Sequence, residues 1–278
     1  MTRTRVLAAL VMAPVAIAAI LLLPTPWLAA AAAGIFLVGL WEWFKLAEID
    51  DTLARTLLLV ANLLLMVLLV WASGTSSGFS PALFQSITLL GVAWWFIALA
   101  WLRFNTFASN HQTYARAFKL AAGTLAVVPA WCALCLIHLG EPNGHRWLLV
   151  ALAIVWAADS GAYFAGRRFG RHKLAPRISP NKTIEGLAGG VAAGLVVAIA
   201  GTFFAGAGLS VLPAVLVIAL VTVLFSVVGD LFESLLKRHV GAKDSGALIP
   251  GHGGALDRID GILPALPIFA LGKELFGF

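Results

Sequence analysis

The sequence has little charge and only two cysteines, and both shortages limit the class of protein. Charged residues make up 12% of the 278 positions, about half of the roughly 25% found in soluble domains. Apolar residues reach 61% and the mean hydropathy is +0.95, which excludes an ordinary soluble enzyme and a disordered chain. Two cysteines exclude a disulfide framework. The composition therefore predicts an integral membrane protein.

The period-two alternation of barrel strands is also missing, so the membrane spans are predicted to be helices. Runs of about 17 to 25 apolar residues are long enough to cross ~30 Å of hydrocarbon as a helix. The sequence contains eight such runs and a weaker ninth, near residues 6–23, 27–44, 54–72, 83–102, 118–139, 147–165, 186–207, 209–228 and 261–277. The first is interpreted as an uncleaved anchor, because it is long and further spans follow. We expect an all-α, polytopic membrane helical bundle of eight to nine transmembrane helices.

Some residue types in the spans are interpreted as structural. Ten tryptophans are present, and several near span ends, such as Trp43, Trp94 and Trp101, predict a belt at the level of the lipid headgroups. Cys132 and Cys135 have the spacing of a metal or redox pair, but they lie inside an apolar run without a second pair. Packing in the core is the preferred interpretation for both cysteines.

The basic residues predict the orientation in the membrane. With the N-terminus in the cytoplasm and nine spans, 17 of the 19 Lys and Arg residues lie inside, leaving Arg146 outside and Lys273 within the last span. This positive-inside bias supports a cytoplasmic N-terminus. The net charge of +6 is explained by these loops, so no nucleic-acid partner is predicted. Membrane lipids are the expected surroundings.

Two cytoplasmic segments hold most of the charge. Residues 159–185 carry 8 charges and residues 229–260 carry 9, together 17 of 32. Both segments follow even-numbered spans, so they face the same side and are expected to meet in one cytoplasm-facing active-site cavity. We therefore divide the chain into about five N-terminal transmembrane helices, residues 1–145, and a C-terminal catalytic region, residues 146–278.

The second segment begins on a helix that continues the eighth span. Asp230, Ser234 and either Lys237 or Arg238 share a face there, because residues three or four apart on a helix are neighbours. A carboxylate beside a hydroxyl suits Mg²⁺, and cations one turn further could hold the phosphates that the metal bridges. From this stretch alone, an ion-paired helix at the membrane surface explains the pattern equally well.

The glycine-rich segment, residues 241–256, favours the metal–phosphate interpretation. Its glycines allow a close approach of the backbone to a ligand, and a helix starting near Ala255 would turn free N–H groups toward an anion. Asp257 and Asp260 are expected to share one face of that helix. A simple turn explains the glycines but not the mixture of signs around them. The acidic residues are Asp230, Asp244, Asp257 and Asp260, and the basic residues are Lys237, Arg238, Lys243 and Arg258.

The first segment begins with a carboxylate inside the membrane. Asp159 lies roughly 10 Å from the inner end of its span at 1.5 Å per residue, and intramembrane carboxylates are functional candidates by default. The arginines at 167, 168 and 171 are interpreted as topology signals. A further group of polar residues stands at the mouth of the next span and is not explained as a topology signal: Ser179, Lys182, Thr183 and Glu185.

These motifs resemble the signature of bacterial phosphatidate cytidylyltransferases, also called CDP-diacylglycerol synthases. The pattern reads Ser234-x-Leu-Lys-Arg-x₄-Lys-Asp-x-Gly-x₂-Ile-Pro-x-His-Gly-Gly-x₂-Asp-Arg-x-Asp260. Asp159-Ser-Gly-Ala-Tyr163 and Ser179-Pro-x-Lys-Thr-x-Glu-Gly186 resemble two further family segments, in the same order. The chain departs from the family at Asn181, where a second lysine is usual. The resemblance covers residues 150 to 265, and the earlier spans match only in hydropathy.

The resemblance implies a step of phospholipid biosynthesis at the bacterial inner membrane, in which CTP and phosphatidate give CDP-diacylglycerol and pyrophosphate with Mg²⁺ as cofactor. It implies Asp230, Ser234 and Asp257 as metal ligands. The implied catalytic residues are Asp230, Lys237, Arg238, Lys243, Asp244, Asp257, Arg258 and Asp260. The implied substrate-binding residues are Asp159, Ser179, Lys182, Thr183, Glu185, His252, Gly253 and Gly254.

Two other functions stay open from the residues alone. One is a transporter or flippase that uses Asp159 and the basic cavity to move an anionic lipid or ion. The other is a different lipid nucleotidyl or phosphoryl transferase, such as a relative of the polyprenol kinases. The sequence does not fix the oligomeric state, and a homodimer stays open.

Overall fold

The computed structural model describes residues 13–76, 78–110, 112–246 and 253–278, and helices dominate them. The apolar runs form helices because a helix satisfies its own backbone hydrogen bonds in the absence of water. The helices are α1 Ala13–Leu22, α2 Thr25–Leu46, α3 Thr52–Ala72, α4 Ala82–Arg103, α5 Thr113–Leu139, α6 Gly144–Phe169, α7 Ile184–Phe204, α8 Leu212–His239, α9 Leu256–Ile259 and α10 Ile262–Phe276. Two short antiparallel hairpins pair β1 Gly74–Thr75 with β2 Gly78–Phe79 and β3 Lys173–Ala175 with β4 Ser179–Thr183.

The helices confirm an all-α polytopic membrane protein. Seven of the described helices, α2 to α8, are long and apolar enough to span a membrane, and they coincide with the second to eighth predicted runs. The first run is helical from residue 13 to 22, and its earlier part lies outside the described residues. Helix α10 has 15 residues, which is roughly 22 Å at 1.5 Å per residue. A ninth full span therefore stays a prediction.

Aromatic side chains fill the centre of the bundle near its charged end, the end where α2, α4, α6 and α8 finish. The Phe232 ring on α8 lies 5.3 to 6.1 Å from four indole rings, those of Trp43, Trp94, Trp95 and Trp101. All four tryptophans are buried. The predicted headgroup belt was therefore wrong for them, because they face helices rather than lipid. Cys132 and Cys135 are buried and unpaired, as predicted.

Helices α6 and α7 pack closely because glycines line their contact. A Cβ added at Gly189 would lie 2.2 Å from the Cβ of Ala165, and one at Gly161 would lie 2.6 Å from the Gly189 carbonyl oxygen. By contrast α3 is largely exposed, and its buried residues are Asn62, Met66 and Leu69. The pair α6–α7 thus forms a rigid wall beside α8, whereas α3 lies at the periphery.

The N-terminal and C-terminal helices contact each other at the charged end. The Trp43 indole N–H donates to the carbonyl oxygen of Lys119 at 2.8 Å, and Lys119 Nζ lies 3.3 Å from Glu48 Oε2. His239, the last residue of α8, lies 2.8 Å through its Nε2 from the Asn105 carbonyl oxygen. These contacts link α2 to α5, and α8 to the loop between α4 and α5, at the charged end. The predicted division at residues 145 and 146 stays a prediction.

Candidate active site

The end of α8 carries the first group of predicted site residues. Ser234 Oγ lies 3.4 Å from Asp230 Oδ1, one helical turn away. The same carboxylate forms an ion pair with Lys182 of β4. The predicted shared face of Asp230 and Ser234 is therefore present, and the first charged segment supplies a cation to the second. The two segments meet, as the sequence predicted.

Asp257 of α9 is surrounded by hydrogen-bond donors. Its Oδ1 lies 2.7 Å from Lys237 Nζ, and its Oδ2 accepts from the backbone N–H groups of Gly254 at 2.8 Å and Ser245 at 3.1 Å. Burial raises the pKa of this carboxyl, but the hydrogen bonds from Lys237 and Gly254 outweigh it and lower the pKa to about 2. Asp257 is therefore ionised at neutral pH and holds the glycine-rich segment against α8.

Lys237 joins Asp257 to a second carboxylate. Its Nζ lies 2.8 Å from Glu233 Oε2 as well. The Glu233 side chain is buried, and its Oε1 has no hydrogen-bond partner among the described residues. The sequence interpretation passed over Glu233, because it resembles an ordinary i,i+4 ion pair on a helix surface.

Asp260 lies close to Asp230 because a glycine allows it. A Cβ added at Gly229 of α8 would lie 2.2 Å from the Asp260 carbonyl oxygen, so only glycine permits this approach of the backbones. Asp260 Oδ1 accepts from the Gly261 N–H at 2.8 Å. Burial first, and then the charges of Asp230 and Asp159, raise the pKa of Asp260 above its usual range. Asp159, Asp230 and Asp260 therefore lie close enough together to disfavour ionisation of the Asp260 carboxyl.

The hairpin β3–β4 presents Lys182 to α8. Its antiparallel register pairs Lys173 with Thr183, and the Thr183 hydroxyl accepts from the Gly186 N–H at 3.1 Å, capping α7. Glu185 accepts from the Arg171 N–H at 3.0 Å and lies 2.6 Å from His172 Nδ1. Glu185, at the start of α7, thus holds the residues that precede β3. Its predicted contact with substrate stays a prediction.

A cavity of about 600 Å³ opens between α6, the hairpin, α7 and α8. Its apolar wall includes Leu187, Val223 and Val227. Its polar wall contains five predicted site residues, namely Asp159, Ser179, Lys182, Thr183 and Asp230. A cavity with a charged wall and an apolar wall beside the membrane-spanning helices suits an amphiphile whose polar group is anionic.

The remaining predicted residues that the structure describes are not among those lining this cavity. Lys243, Asp244 and Arg258 are exposed on and after the glycine-rich segment. Arg238 donates from Nε to the Ile178 carbonyl oxygen at 3.3 Å, which ties α8 to the hairpin. Gly253 has a positive φ of 81°, Gly254 binds Asp257, and His252 lies outside the described residues. Asp257 and Asp260, expected on one face, contact different groups.

Glu42 of α2 was missed by the sequence interpretation. It is 6% exposed, and its Oε2 accepts from the Leu256 N–H at 2.8 Å. The Ser245 Oγ lies 3.0 Å from the same oxygen. Glu42 lies within the second predicted span, so the rule that marked Asp159, a carboxylate in an apolar run, was the signal that could have found it.

Comparison with known proteins places the chain among enzymes that transfer cytidylyl groups. Residues 3–276 match the profile described as the cytidylyltransferase family. The chain belongs to the cytidylyltransferase family. It is similar to proteins named phosphatidate cytidylyltransferase from Pseudomonas aeruginosa, with 37% identity over 97% of this chain and 96% of the relative, and from Haemophilus influenzae, with 34% identity over 97% and 98%. A relative of the same name from Staphylococcus haemolyticus is 42% identical over 50% of this chain and 56% of its own length.

Membership makes this cytidylyltransferase a nucleotidyltransferase, for which a divalent metal is generally expected. Among the described residues, no group of three or more His, Cys, Asp and Glu side chains is arranged to hold a metal by itself. Mg²⁺ is usually bound through one or two carboxylates, with water and substrate phosphates as further ligands. The Asp230 carboxylate and the Ser234 hydroxyl, one turn apart on α8, fit a site of that kind. Asp257, whose oxygens accept from Lys237, Ser245 and Gly254, stays a predicted ligand.

Proposed function

We propose that this cytidylyltransferase is a phosphatidate cytidylyltransferase, which converts CTP and phosphatidate to CDP-diacylglycerol and pyrophosphate. The names of the relatives that cover nearly the whole chain support this substrate pair. The observation that carries the proposal is the cavity in which Lys182 and Asp159 face an apolar wall. A lipid phosphate needs both a cation for its headgroup and an apolar path for its acyl chains.

The reaction forms one P–O bond and breaks another. An oxygen of the phosphatidate phosphate attacks the α-phosphorus of CTP, and the bond from that phosphorus to the bridging oxygen of the β-phosphate breaks in line with the attack. The pair of electrons leaves with pyrophosphate. A phosphate monoester is already a nucleophile, so no deep general base is needed. The main obstacle is repulsion between two anions, which cations must offset.

Two ion-paired lysines are suited to that task, Lys182 at the cavity wall and Lys237 on α8. Lys182 forms an ion pair with Asp230, and Lys237 with Asp257, so each ammonium group is oriented before any phosphate arrives. We assign Lys182 to the phosphatidate headgroup, together with Ser179 and Thr183. We assign Lys237 to the triphosphate of CTP, with Arg238, Lys243 and Arg258 as further cations.

The residues that would hold Mg²⁺ are Asp230, Ser234 and Asp257. The ion would supply positive charge for the triphosphate and polarise the α-phosphoryl group. The carboxylates keep their own role: Asp230 holds Lys182 at the cavity wall, and Asp257 holds Lys237 and the N–H groups of the glycine-rich segment. Asp260 is a further candidate ligand, since it interacts electrostatically with Asp230.

The proposed location is the bacterial inner membrane with the charged end in the cytoplasm. Both charged segments lie at that end, whereas Arg146 lies at the opposite end, where it donates to the Phe204 carbonyl oxygen. The distribution of basic residues supports this orientation. CTP is a cytoplasmic nucleotide, so the proposed orientation also places the site where the substrate is available.

The test uses purified protein in detergent, where neither a gradient nor a second leaflet exists. We expect pyrophosphate release from CTP with phosphatidate and Mg²⁺, and none after addition of EDTA. A transporter could bind either ligand but would release no pyrophosphate. Folded protein that releases none with CTP and several phosphatidates contradicts the proposal. Release only with another nucleotide or lipid phosphate would replace the proposed substrates.

A further inference from the structure

A buried carboxylate of the N-terminal half contacts the glycine-rich segment. Glu42 lies on α2, some 200 residues before the motif residues of that segment. Its Oε2 accepts from the N–H of Leu256, the first residue of α9, and lies 3.0 Å from Ser245 Oγ. One carboxylate oxygen thus contacts the segment at two points, on either side of residues 247–252.

Two glycines of the segment, Gly246 and Gly254, leave the space that the Glu42 carboxylate occupies. A Cβ added at Gly246 would lie 2.2 Å from Glu42 Oε1, and one at Gly254 would lie 2.2 Å from Glu42 Oε2. A real Cβ cannot approach an oxygen that closely, so the backbone lies directly on the carboxylate. At Gly246 the three nearest atoms to the added Cβ all belong to Glu42. The space around the segment is therefore shaped by one side chain of α2.

Asp257 is held by the same stretch of backbone. Its Oδ2 accepts from the N–H groups of Ser245 and Gly254 and lies 3.0 Å from Ser245 Oγ. The Ser245 hydroxyl stands at equal distance from Asp257 Oδ2 and Glu42 Oε2, and it can donate to one of them at a time. A displacement of residues 245 or 254 would therefore move the donors that set the orientation of the Asp257 carboxylate.

We propose that Glu42 is a positioning residue for the cytidylyl-transfer site: it fixes the described ends of the glycine-rich segment, at Ser245 and Leu256, so that Asp257 is oriented for metal and phosphate binding. The inference rests on the proposed function, because only there does Asp257 act as a ligand. Glu42 touches neither substrate nor reacting atom in this scheme. It acts through two hydrogen-bonded groups, Leu256 N–H and Ser245 Oγ. The groups that position the catalytic site therefore extend to α2, outside the region that carries the recognisable motifs.

The chain offers a matched control on the same side of the bundle. Glu48, two residues past the end of α2, is 16% exposed at its side chain and lies 3.3 Å from the buried Lys119 Nζ. That ion pair joins the end of α2 to α5. Replacing Glu48 by Gln removes a partly buried carboxylate from the same region and leaves Asp257 and its donors in place. A general loss of packing at this end would affect both positions.

The first experiment measures amide hydrogen exchange in the purified full-length protein, without metal, lipid or nucleotide. Glu42→Ala should speed exchange in peptides covering 241–258 by about tenfold or more, because it removes the charged acceptor that holds Leu256 N–H and Ser245 Oγ and so favours local opening. Glu42→Gln keeps an acceptor oxygen and should stay within about threefold of the wild type. Glu48→Gln should leave this segment unchanged. Unchanged exchange in Glu42→Ala, or an equal rise throughout the chain, contradicts the proposal.

The second experiment measures Mn²⁺ binding by electron paramagnetic resonance. Glu42→Ala should raise the Mn²⁺ concentration needed for half-saturation by about 10- to 100-fold. The increase for Glu42→Gln should be smaller. Should Glu42→Ala fail to fold, Ser245→Ala removes the link between the carboxylates and should weaken Mn²⁺ binding by about three- to tenfold. Normal Mn²⁺ binding in the folded variants contradicts the inference. A wild type that binds Mn²⁺ but makes no CDP-diacylglycerol would contradict the proposed function alone.

Discussion

Replacing Asp257 by asparagine perturbs the centre of the hydrogen-bond network. One carboxylate oxygen accepts a hydrogen bond from the Lys237 ammonium group, and the other accepts from two backbone N–H groups. Asparagine has a single acceptor oxygen. When that oxygen faces the backbone donors, its NH₂ group faces the Lys237 ammonium, and the reverse orientation leaves two N–H groups facing an NH₂ group.

The size of the effect follows from the hydrogen bonds that asparagine cannot form. A hydrogen bond to a charged group contributes about 1.5–3 kcal/mol, and removal of a ligand to a catalytic metal adds to that figure. We expect Asp257→Asn to lower the rate by at least about 100-fold, or roughly 2.7 kcal/mol in the activation free energy. Expression and the size of the detergent-extracted protein should not change.

The assay is the initial rate of CDP-diacylglycerol formation at saturating Mg²⁺, with Asp50→Asn as a control. Asp50 is exposed at the charged end outside the cavity, and its variant should match the wild type. The pKa of Asp257 is lowered from 3.8 to about 2, so the stabilising ionised form is complete above about pH 4 and is lost only as the pH falls through about 2. Asp257 therefore stays ionised throughout the assay range. Its ionisation should make no pH-dependent contribution to the ratio of the Asp257→Asn rate to the wild-type rate between about pH 6 and about pH 8. Near-normal turnover of Asp257→Asn would refute the assignment.

Three further predictions concern packing, topology and the headgroup. Gly229→Ala should lower the free energy of unfolding by about 1–3 kcal/mol or more, because its Cβ would lie 2.2 Å from a backbone oxygen before α10. Gly34→Ala, with nothing within 4 Å, is the control for the thermal scan. Cysteines at Ser76 and Arg177, in a cysteine-free background, should label from opposite sides of the membrane; labelling of both from outside refutes the orientation. Lys182→Ala should raise the KM for phosphatidate by about tenfold or more, and an unchanged KM refutes its role.

The sequence predicted the fold well, because apolar runs and charge segregation are properties of composition along the chain. Seven long helices lie where the runs were. The tryptophans show the limit of that reasoning. Position near a span end predicted a headgroup belt, yet Trp43 and Trp94 face Phe232. Which face of a helix meets protein and which meets lipid depends on tertiary packing, which local patterns in a span do not record.

The site was predictable in part for the same reason. Residues on one helix, such as Asp230 and Ser234, were placed correctly, because helical periodicity determines their contact. The pairing of Lys182 with Asp230 depends on the hairpin register and on the approach of two residues 48 positions apart in the sequence. The contact of Glu42 with Leu256 spans 214 residues. No local spacing predicts such contacts, although a buried carboxylate in an apolar span signals that a partner exists.

The most direct test of the central claim follows the α-phosphorus of CTP. Purified protein is incubated with phosphatidate, Mg²⁺ and CTP labelled at either the α- or the γ-phosphate. We predict that the α-label enters the lipid fraction while the γ-label remains in water as pyrophosphate. Transfer of the γ-label to lipid would indicate a kinase, and absence of both labels from lipid in folded, active-site-intact protein would contradict cytidylyl transfer.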